Sequence, residues 1–446
     1  MSTAILELTR PHHLSIYVSP VACPRVATTT ATTVAVCISS APSLLPRPAV
    51  VQAVVTAVSV LCGLGLLAAA RALGARFRPT PPVASVPVRW GAVGAAIGLC
   101  GAATLAADRW QNGLRDAMGV HPVGAAHWAL VATAATLIVA LALGVTARIR
   151  RIGPVRALAA AGIIALAGYT AATGFAPTAA ASLPPSRLPA GVSGAPQSLV
   201  PWDTLGEQGR RFVALDTAGD AIRTYVGVDS APDAPARAAL AVRELDRAGG
   251  FDRGHLVVAV PTGSGWIDAN AVAGFESAYG DDVAFVAVQY SSAPSWVTFV
   301  LDRDAAIDAA TALVDAVRSR LDTFAPADRP QLHVYGQSLG AVGAGAAFDG
   351  PAAPGPCDAL WTGPPAGSVR PDGGTVLANS SDPVIRWRPS LLWSPPDLSR
   401  ARVDAPLPAW LPVIGFLQTS VDLLFALDAA PGHGHRYGPD QARCAS

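Results

Sequence analysis

The chain has 446 residues, 51% hydrophobic and only 14% charged, with a mean hydropathy of +0.38, values that suit a protein partly dissolved in lipid and large enough for two or three domains. The net charge of +1 hides a segregation: residues 1–200 hold 14 Arg against 3 acids, and residues 201–446 hold 18 Arg against 28 acids. Because the Arg residues flank long apolar runs, this asymmetry argues for a membrane and against a nucleic-acid arm.

The first uncharged stretch, Val26–Leu45, is threonine-rich and reads as a weak span rather than a signal sequence, since the Ser-Leu-Leu-Pro-Arg-Pro at its end looks like a loop between spans. Four clearer spans follow at Pro48–Ala70, Trp90–Ala107, Trp128–Ala147 and Ala157–Ala176, each free of formal charge and near the ~20 residues a bilayer requires. The second is the shortest and richest in Gly and Ala, so it is expected to pack against its neighbours. The segments Arg71–Arg89 and Arg148–Arg156 each carry four Arg and no acid, which assigns them to the cytoplasm. The last span then exits outward. The expected organisation is an α-helical transmembrane domain over 1–176, an extended Pro/Ala/Ser linker over 177–201, and an extracytoplasmic domain over 202–446, in a multi-pass protein of the cell membrane. A soluble bundle seldom repeats charge-free runs of this length, and the spans hold no acid or base of the kind a transporter needs.

In the second half, apolar runs alternate with helical periodicity. Strands are expected at Ile222–Val228, His255–Val260, Val283–Tyr290, Leu332–Tyr335 and Thr375–Ala378, with another starting near Asp358. Helices are expected at Ala234–Ala248 and Ala306–Leu321, the latter with acids at its amino end and Arg at its carboxyl end. Continuous apolar strands separated by helices imply a mostly parallel, doubly wound sheet, with chemistry at the strands' carboxyl ends.

Leu332–Gly340 reads Leu-His-Val-Tyr-Gly-Gln-Ser-Leu-Gly, a strand running into Gly-x-Ser-x-Gly and then a small-residue helix. Such a turn presents a serine, here Ser338, as a nucleophile at the sheet edge. The oxyanion donors are then the Leu339 amide and amides of the loop Pro261–Trp266, with Thr262 and Gly263 as candidates. That loop lacks the Lys of a phosphate-binding loop. Gln289, Tyr290 and Trp266 are placed in the cleft, and residues 384–412, with Trp387, Trp393 and Trp410, suit a lid or an acyl pocket. The acid is Asp382, directly after a strand; Asp358 would point to the opposite end, and Asp422 and Asp428 read as caps or surface acids. Only His433 and His435 follow Ser338, and either can serve as base, with His433 taken first. No Glu or Cys adjoins this His-x-His pair, so no metal is expected, and no cofactor is needed. Cys357 and Cys444 are the two cysteines outside the spans and their segments, so a disulfide between them is permitted.

Taken together, Pro42-Ser-Leu-Leu-Pro-Arg-Pro48, Pro261-Thr-Gly-Ser-Gly-Trp266, Gln289-Tyr290 with Pro294-Ser-Trp296, Gly336-Gln-Ser-Leu-Gly340, Ser381-Asp-Pro383 and Gly432-His-Gly-His435 resemble the membrane-anchored α/β-hydrolases of actinobacteria. The resemblance covers most of the chain from about residue 40 and implies an α/β-hydrolase fold with esterase or lipase-like activity. Members of that family tend to carry Glu where Gln337 stands, a non-catalytic position of the turn. The expected function is a serine hydrolase acting on a lipid or envelope ester beside membrane lipids. An acyltransferase with the same triad and a catalytically inactive receptor or scaffold are the alternatives.

Overall fold

The computed structural model describes residues 24–76, 84–149, 188–216, 220–293, 295–348, 358–370 and 373–442. The expected span Ala157–Ala176, Cys357 and Cys444 lie outside the described residues.

Among the described residues, the first half holds four helices: α1 (Val26–Ser39), α2 (Ala49–Gly74), α3 (Val86–Ala117) and α4 (Ala125–Ile149). The last three are long and apolar enough to cross a membrane. Helix α1 has 14 residues, which at 1.5 Å each reach about 21 Å, short of a ~30 Å hydrocarbon core. The weak first span is therefore a shorter helix, and Pro42–Pro48 is the loop that its composition suggested. Helices α1 and α2 run antiparallel: Gln52 Nε2 donates to the Ser39 carbonyl (2.9 Å) at one end, and Arg71 reaches Thr28 at the other. They approach closely at Gly63, where a Cβ would lie 3.2 Å from the Ala31 carbonyl oxygen. Helix α3, the Gly-rich second span, also packs against α1, although a Cβ added at its Gly91, Gly94, Gly98 or Gly101 would meet nothing within 4 Å among the described residues. Helix α3 outruns its apolar stretch by about three turns, in which Gln111, Leu114 and Arg115 are buried.

The described residues of the second half are built on six parallel strands: β1 (Ile222–Val226), β2 (His255–Val260), β3 (Val283–Val288), β4 (Gln331–Gln337), β5 (Ala359–Thr362) and β6 (Thr375–Leu377). They are ordered β1-β3-β2-β4-β5-β6. Every residue of β3 and the last five of β2 are buried, as expected for strands covered on both faces. The covering helices are α5 (Gly206–Val213), α6 (Ala234–Arg247), α7 (Ala269–Tyr279), α8 (Ser295–Leu301), α9 (Arg303–Leu321) and α10 (Leu339–Ala347). Helix α6 starts at Asp233, whose carboxylate accepts the Ala236 amide (2.8 Å). The spacing predicts one face of Ile307, Ala310, Val314, Val317 and Leu321; helix α9 buries the last four and half-buries Ile307. Short α11 (Pro383–Arg386) and α12 (Ile414–Leu423) lie beyond β6.

The linker expected over 177–201 behaves differently from residue 188 onward. Leu188, Val192, Ala195 and Val200 belong to the sheet's core. Gly191–Ser193 bridges the outer edge of β1, with the Ser193 amide on the Arg223 carbonyl (3.1 Å) and the Arg223 amide on the Gly191 carbonyl (3.3 Å). Fully buried Glu244 of α6 accepts from Ser198 Oγ (2.7 Å) and the Leu199 amide (2.8 Å). An exposed strand edge invites foreign strands, and this segment covers it.

The two halves meet at the Pro42–Pro48 loop. Arg47 donates from Nη2 (2.7 Å) and Nε (3.1 Å) to Asp422 Oδ1 on α12, while the Leu44 amide donates to Asp422 Oδ2 (2.7 Å). The two side chains are 3% and 1% exposed. Gln418 Nε2 reaches the Ile38 carbonyl at the end of α1 (2.7 Å). Leu44, Leu45, Leu114 and Met118 pack with Ala405 and Ala429 as a second small core. Asp422, read from sequence as a cap or surface acid, is instead the buried counter-ion of an arginine from the membrane half. Removing one partner of such a pair strands the other, so Asp422→Ala should lose ~3–5 kcal/mol of stability. Thermal unfolding in detergent measures this, and an Arg47→Met/Asp422→Leu double variant should lose less than either single change.

Candidate active site

The register places the site. Val260 of β2 lies beside Gly336 of β4, and Gln337 beside Thr362 of β5, so Ser338 emerges between the loops that follow β2 and β5. Its backbone sits at φ 55°, ψ −123°, a conformation that side chains resist. The surroundings hold it: the Ser338 amide donates to the Thr362 carbonyl (3.0 Å), and its own carbonyl accepts the Ala341 amide (3.0 Å). Both flanking glycines are required by space. A Cβ on Gly336 would lie 2.4 Å from the Gly340 carbonyl oxygen, and one on Gly340 would lie 2.3 Å from the Val260 carbonyl oxygen. Leu339 is the first residue of α10, where helical N–H groups have no internal acceptor and the helix dipole is positive.

Asp382 is fully buried and uses both oxygens. Oδ1 accepts the Val384 amide (2.8 Å) and so caps α11, while Oδ2 accepts the Tyr437 hydroxyl (2.7 Å) and lies 2.7 Å from His435 Nδ1. Burial, followed by the nearby Asp382 charge, raises the Tyr437 phenol well above its ordinary range, which keeps it a donor. With Nδ1 engaged, the His435 ring is fixed in the tautomer and orientation that leave Nε2 for proton transfer. The ring's Cε1 sits against Gly363, the residue after the Thr362 that holds the serine amide; a Cβ there would be 2.8 Å from Cε1.

Of the two histidines, the structure thus joins His435, not the preferred His433, to Asp382. His433 Nδ1 lies 3.3 Å from Asp404 Oδ2 without hydrogen-bond geometry. Asp404 itself accepts from the Ser380 hydroxyl (3.1 Å), the Ser381 amide (2.9 Å), the Ser381 hydroxyl and the Gly434 amide (3.3 Å). Asn379 Nδ2 donates to the Gly434 carbonyl (2.8 Å) and Arg402 to Asn379. The segment Asn379–Asp382 therefore both supplies the acid and anchors the histidine loop.

Gln337, next to the serine, donates from Nε2 to the His435 carbonyl (3.1 Å). Its Oε1 shares the Tyr335 hydroxyl (3.2 Å) with Gln441 Oε1 (2.9 Å), and Gln441 Nε2 donates to Asp268 (2.8 Å). All four side chains are buried, and burial raises both the Tyr335 phenol and the Asp268 carboxyl. A carboxylate at 337 has no hydrogen to give the His435 carbonyl; the amide does.

The Pro261–Trp266 loop is held by its carbonyls. Tyr290 donates to Pro261 (3.0 Å), Gln289 to Ser264 (3.2 Å) and Tyr225 to Gly265 (2.8 Å). The Thr262 amide is committed to the Trp266 carbonyl (2.9 Å), and the Thr262 carbonyl accepts the Gly265 amide (2.9 Å). In the trans peptide joining Thr262 to Gly263, the N–H points opposite that engaged carbonyl, out of the turn. Of the two oxyanion candidates from this loop, the Thr262 amide is engaged, whereas the Gly263 amide has no acceptor among the described residues. Gln289 and Tyr290, placed in the cleft by sequence, act instead as buried clamps on this loop; Gln289 Oε1 also accepts the Val228 amide (3.3 Å). Trp266 is half-buried at its end.

Sequence reading missed Tyr437, Asp404, Asn379 and Gln441. Tyr437 carried a signal, two residues beyond His435; Asp404 and Asn379 in loops and Gln441 in a short 3-10 helix matter only through contacts made by folding.

The sequence model of a family described as "Alpha/beta-hydrolase family" matches residues 222–372 and 374–445, and one described as "Alpha/beta-hydrolase family N-terminus" matches residues 41–160 and 179–215. No curated protein and no solved structure matches the chain.

Because the Gly340 contact is with backbone that cannot move aside, Gly340→Ala should destabilise the fold by about 1–3 kcal/mol or more and displace Ser338. A lowered Tm with loss of activity is the expected result; a Tm within error of the parent would contradict the packing described.

Proposed function

The chain belongs to the α/β-hydrolase family in both halves, and from that premise we propose that it is a membrane-anchored serine hydrolase of the esterase or lipase type. One observation carries the reading: a serine in a strained turn at the carboxyl end of a parallel strand shares its sheet edge with a buried Asp–His pair. Ser338 Oγ attacks the ester carbonyl while His435 Nε2 takes its proton. Asp382 holds the imidazole by Nδ1 and stabilises the imidazolium. The Leu339 and Gly263 amides receive the oxyanion. Collapse of the intermediate passes the proton from His435 to the leaving alcohol and leaves an acyl-serine. Water, activated by the same imidazole, then releases the acid. His433 has no part in these steps.

The substrate class follows from position. A hydrolase domain locked to membrane helices meets lipids or envelope esters first, and the Arg-rich segments Arg71–Arg89 and Arg148–Arg156 favour an extracytoplasmic position for it.

Labelling by a fluorophosphonate probe tests the chemistry directly. The parent protein should be labelled, Ser338→Ala should not, and His435→Ala should lower ester turnover by about 10⁴-fold or more. His433→Ala should keep activity close to the parent. A correctly folded parent that resists the probe would overturn the proposal.

A further inference from the structure

Large apolar side chains are unevenly exposed on the hydrolase half. Among the described residues from 188 to 442, ten are exposed, and eight of them fall between Trp393 and Leu427, the others being Leu199 and Leu301. The stretch from Ala405 to Leu427 holds a single charged residue, Asp422, and that one is buried. Its exposed surface is therefore free of charge.

Helix α12 has its polarity reversed. Gln418, Thr419 and Asp422 are its buried residues. Leu417 is 44% exposed and Leu424 at its end 76%, and with Val413 they recur at helical spacing on the opposite face. A helix of a water-soluble domain does the converse. Trp393, 68% exposed, adjoins this face, because the Val413 amide donates to the Leu392 carbonyl (3.0 Å). The polar side of α12 is fixed to the membrane half: Gln418 reaches the last turn of α1, and Asp422 holds Leu44 and Arg47, immediately before α2 begins at Ala49. The apolar surface thus belongs to a helix anchored beside the start of α2, which is long and apolar enough to cross a membrane.

We propose that Trp393, Val413, Leu417 and Leu424 form a surface immersed in the bilayer leaflet on the hydrolase side, so that the catalytic domain itself lies in the lipid interface. The reversed polarity of α12, the absence of exposed charge between Ala405 and Leu427 and the attachment to the membrane helices all favour acyl chains over a protein partner. The inference rests on α2, α3 and α4 crossing a bilayer and is independent of the chemistry of Ser338.

The test uses the full chain in lipid nanodiscs, with phospholipids brominated at acyl positions ~5–10 Å below the headgroups. Subtracting the fluorescence of Trp393→Phe from that of the parent isolates Trp393. Its emission should be blue-shifted and should lose most of its intensity in brominated lipid, in the parent and in Ser338→Ala alike. Leu417→Asp/Leu424→Asp should weaken that quenching. Water-exposed emission insensitive to bromine would overturn the proposal, as would a blue shift that appears only with two chains per disc, which assigns the face to a second copy. A quenched Trp393 in a protein that never reacts with fluorophosphonate would leave this inference standing and remove the hydrolase reading.

Discussion

A carboxylate without water is costly, and Asp382 is buried completely. Three donors offset that cost: the Val384 amide, the Tyr437 hydroxyl and the His435 ring. The first fixes the start of α11; the other two come from the histidine loop and bring it to the sheet. The same group therefore closes the fold and sets the imidazole. One oxygen, Oδ1, caps a helix, while the other, Oδ2, faces the imidazole, so the two contacts do not compete.

The strand pattern was legible because buried parallel strands leave an unbroken apolar signature. His255–Val260 coincides with β2, and the other predicted strands overlap theirs with small shifts at the ends. Ser338 was legible because the elbow's glycines are demanded by contacts at 2.3–2.4 Å that no side chain survives. The choice of histidine was not. His433 and His435 differ by two positions in a loop whose turns depend on Gly432 at φ 91° and Gly434 at φ 55°. Which ring faces inward is decided by Asn379, Ser381 and Asp404, and local sequence says nothing of those partners.

The linker and the junction failed to show for a related reason. Leu188 to Val200 looks like a proline-rich tether, but its apolar residues find the open flank of β1, and Glu244 on a distant helix fixes it there. Arg47 and Asp422 are 375 residues apart, one in a loop between helices and the other in an apolar run. Periodicity reports which face of an element is apolar; it does not report which remote charge will neutralise another. Here the polar face of α12 turned inward to meet that arginine, reversing the usual assignment.

Leu45 approaches Gly434 so closely that a Cβ on that glycine would lie 2.9 Å from its Cδ2. Gly434 is flanked by the two histidines, and Leu45 stands four residues ahead of α2. The imidazole loop consequently rides on the membrane half at a fixed stand-off, one leucine thick. A soluble fragment trimmed to begin at residue 202 would leave that loop without its floor.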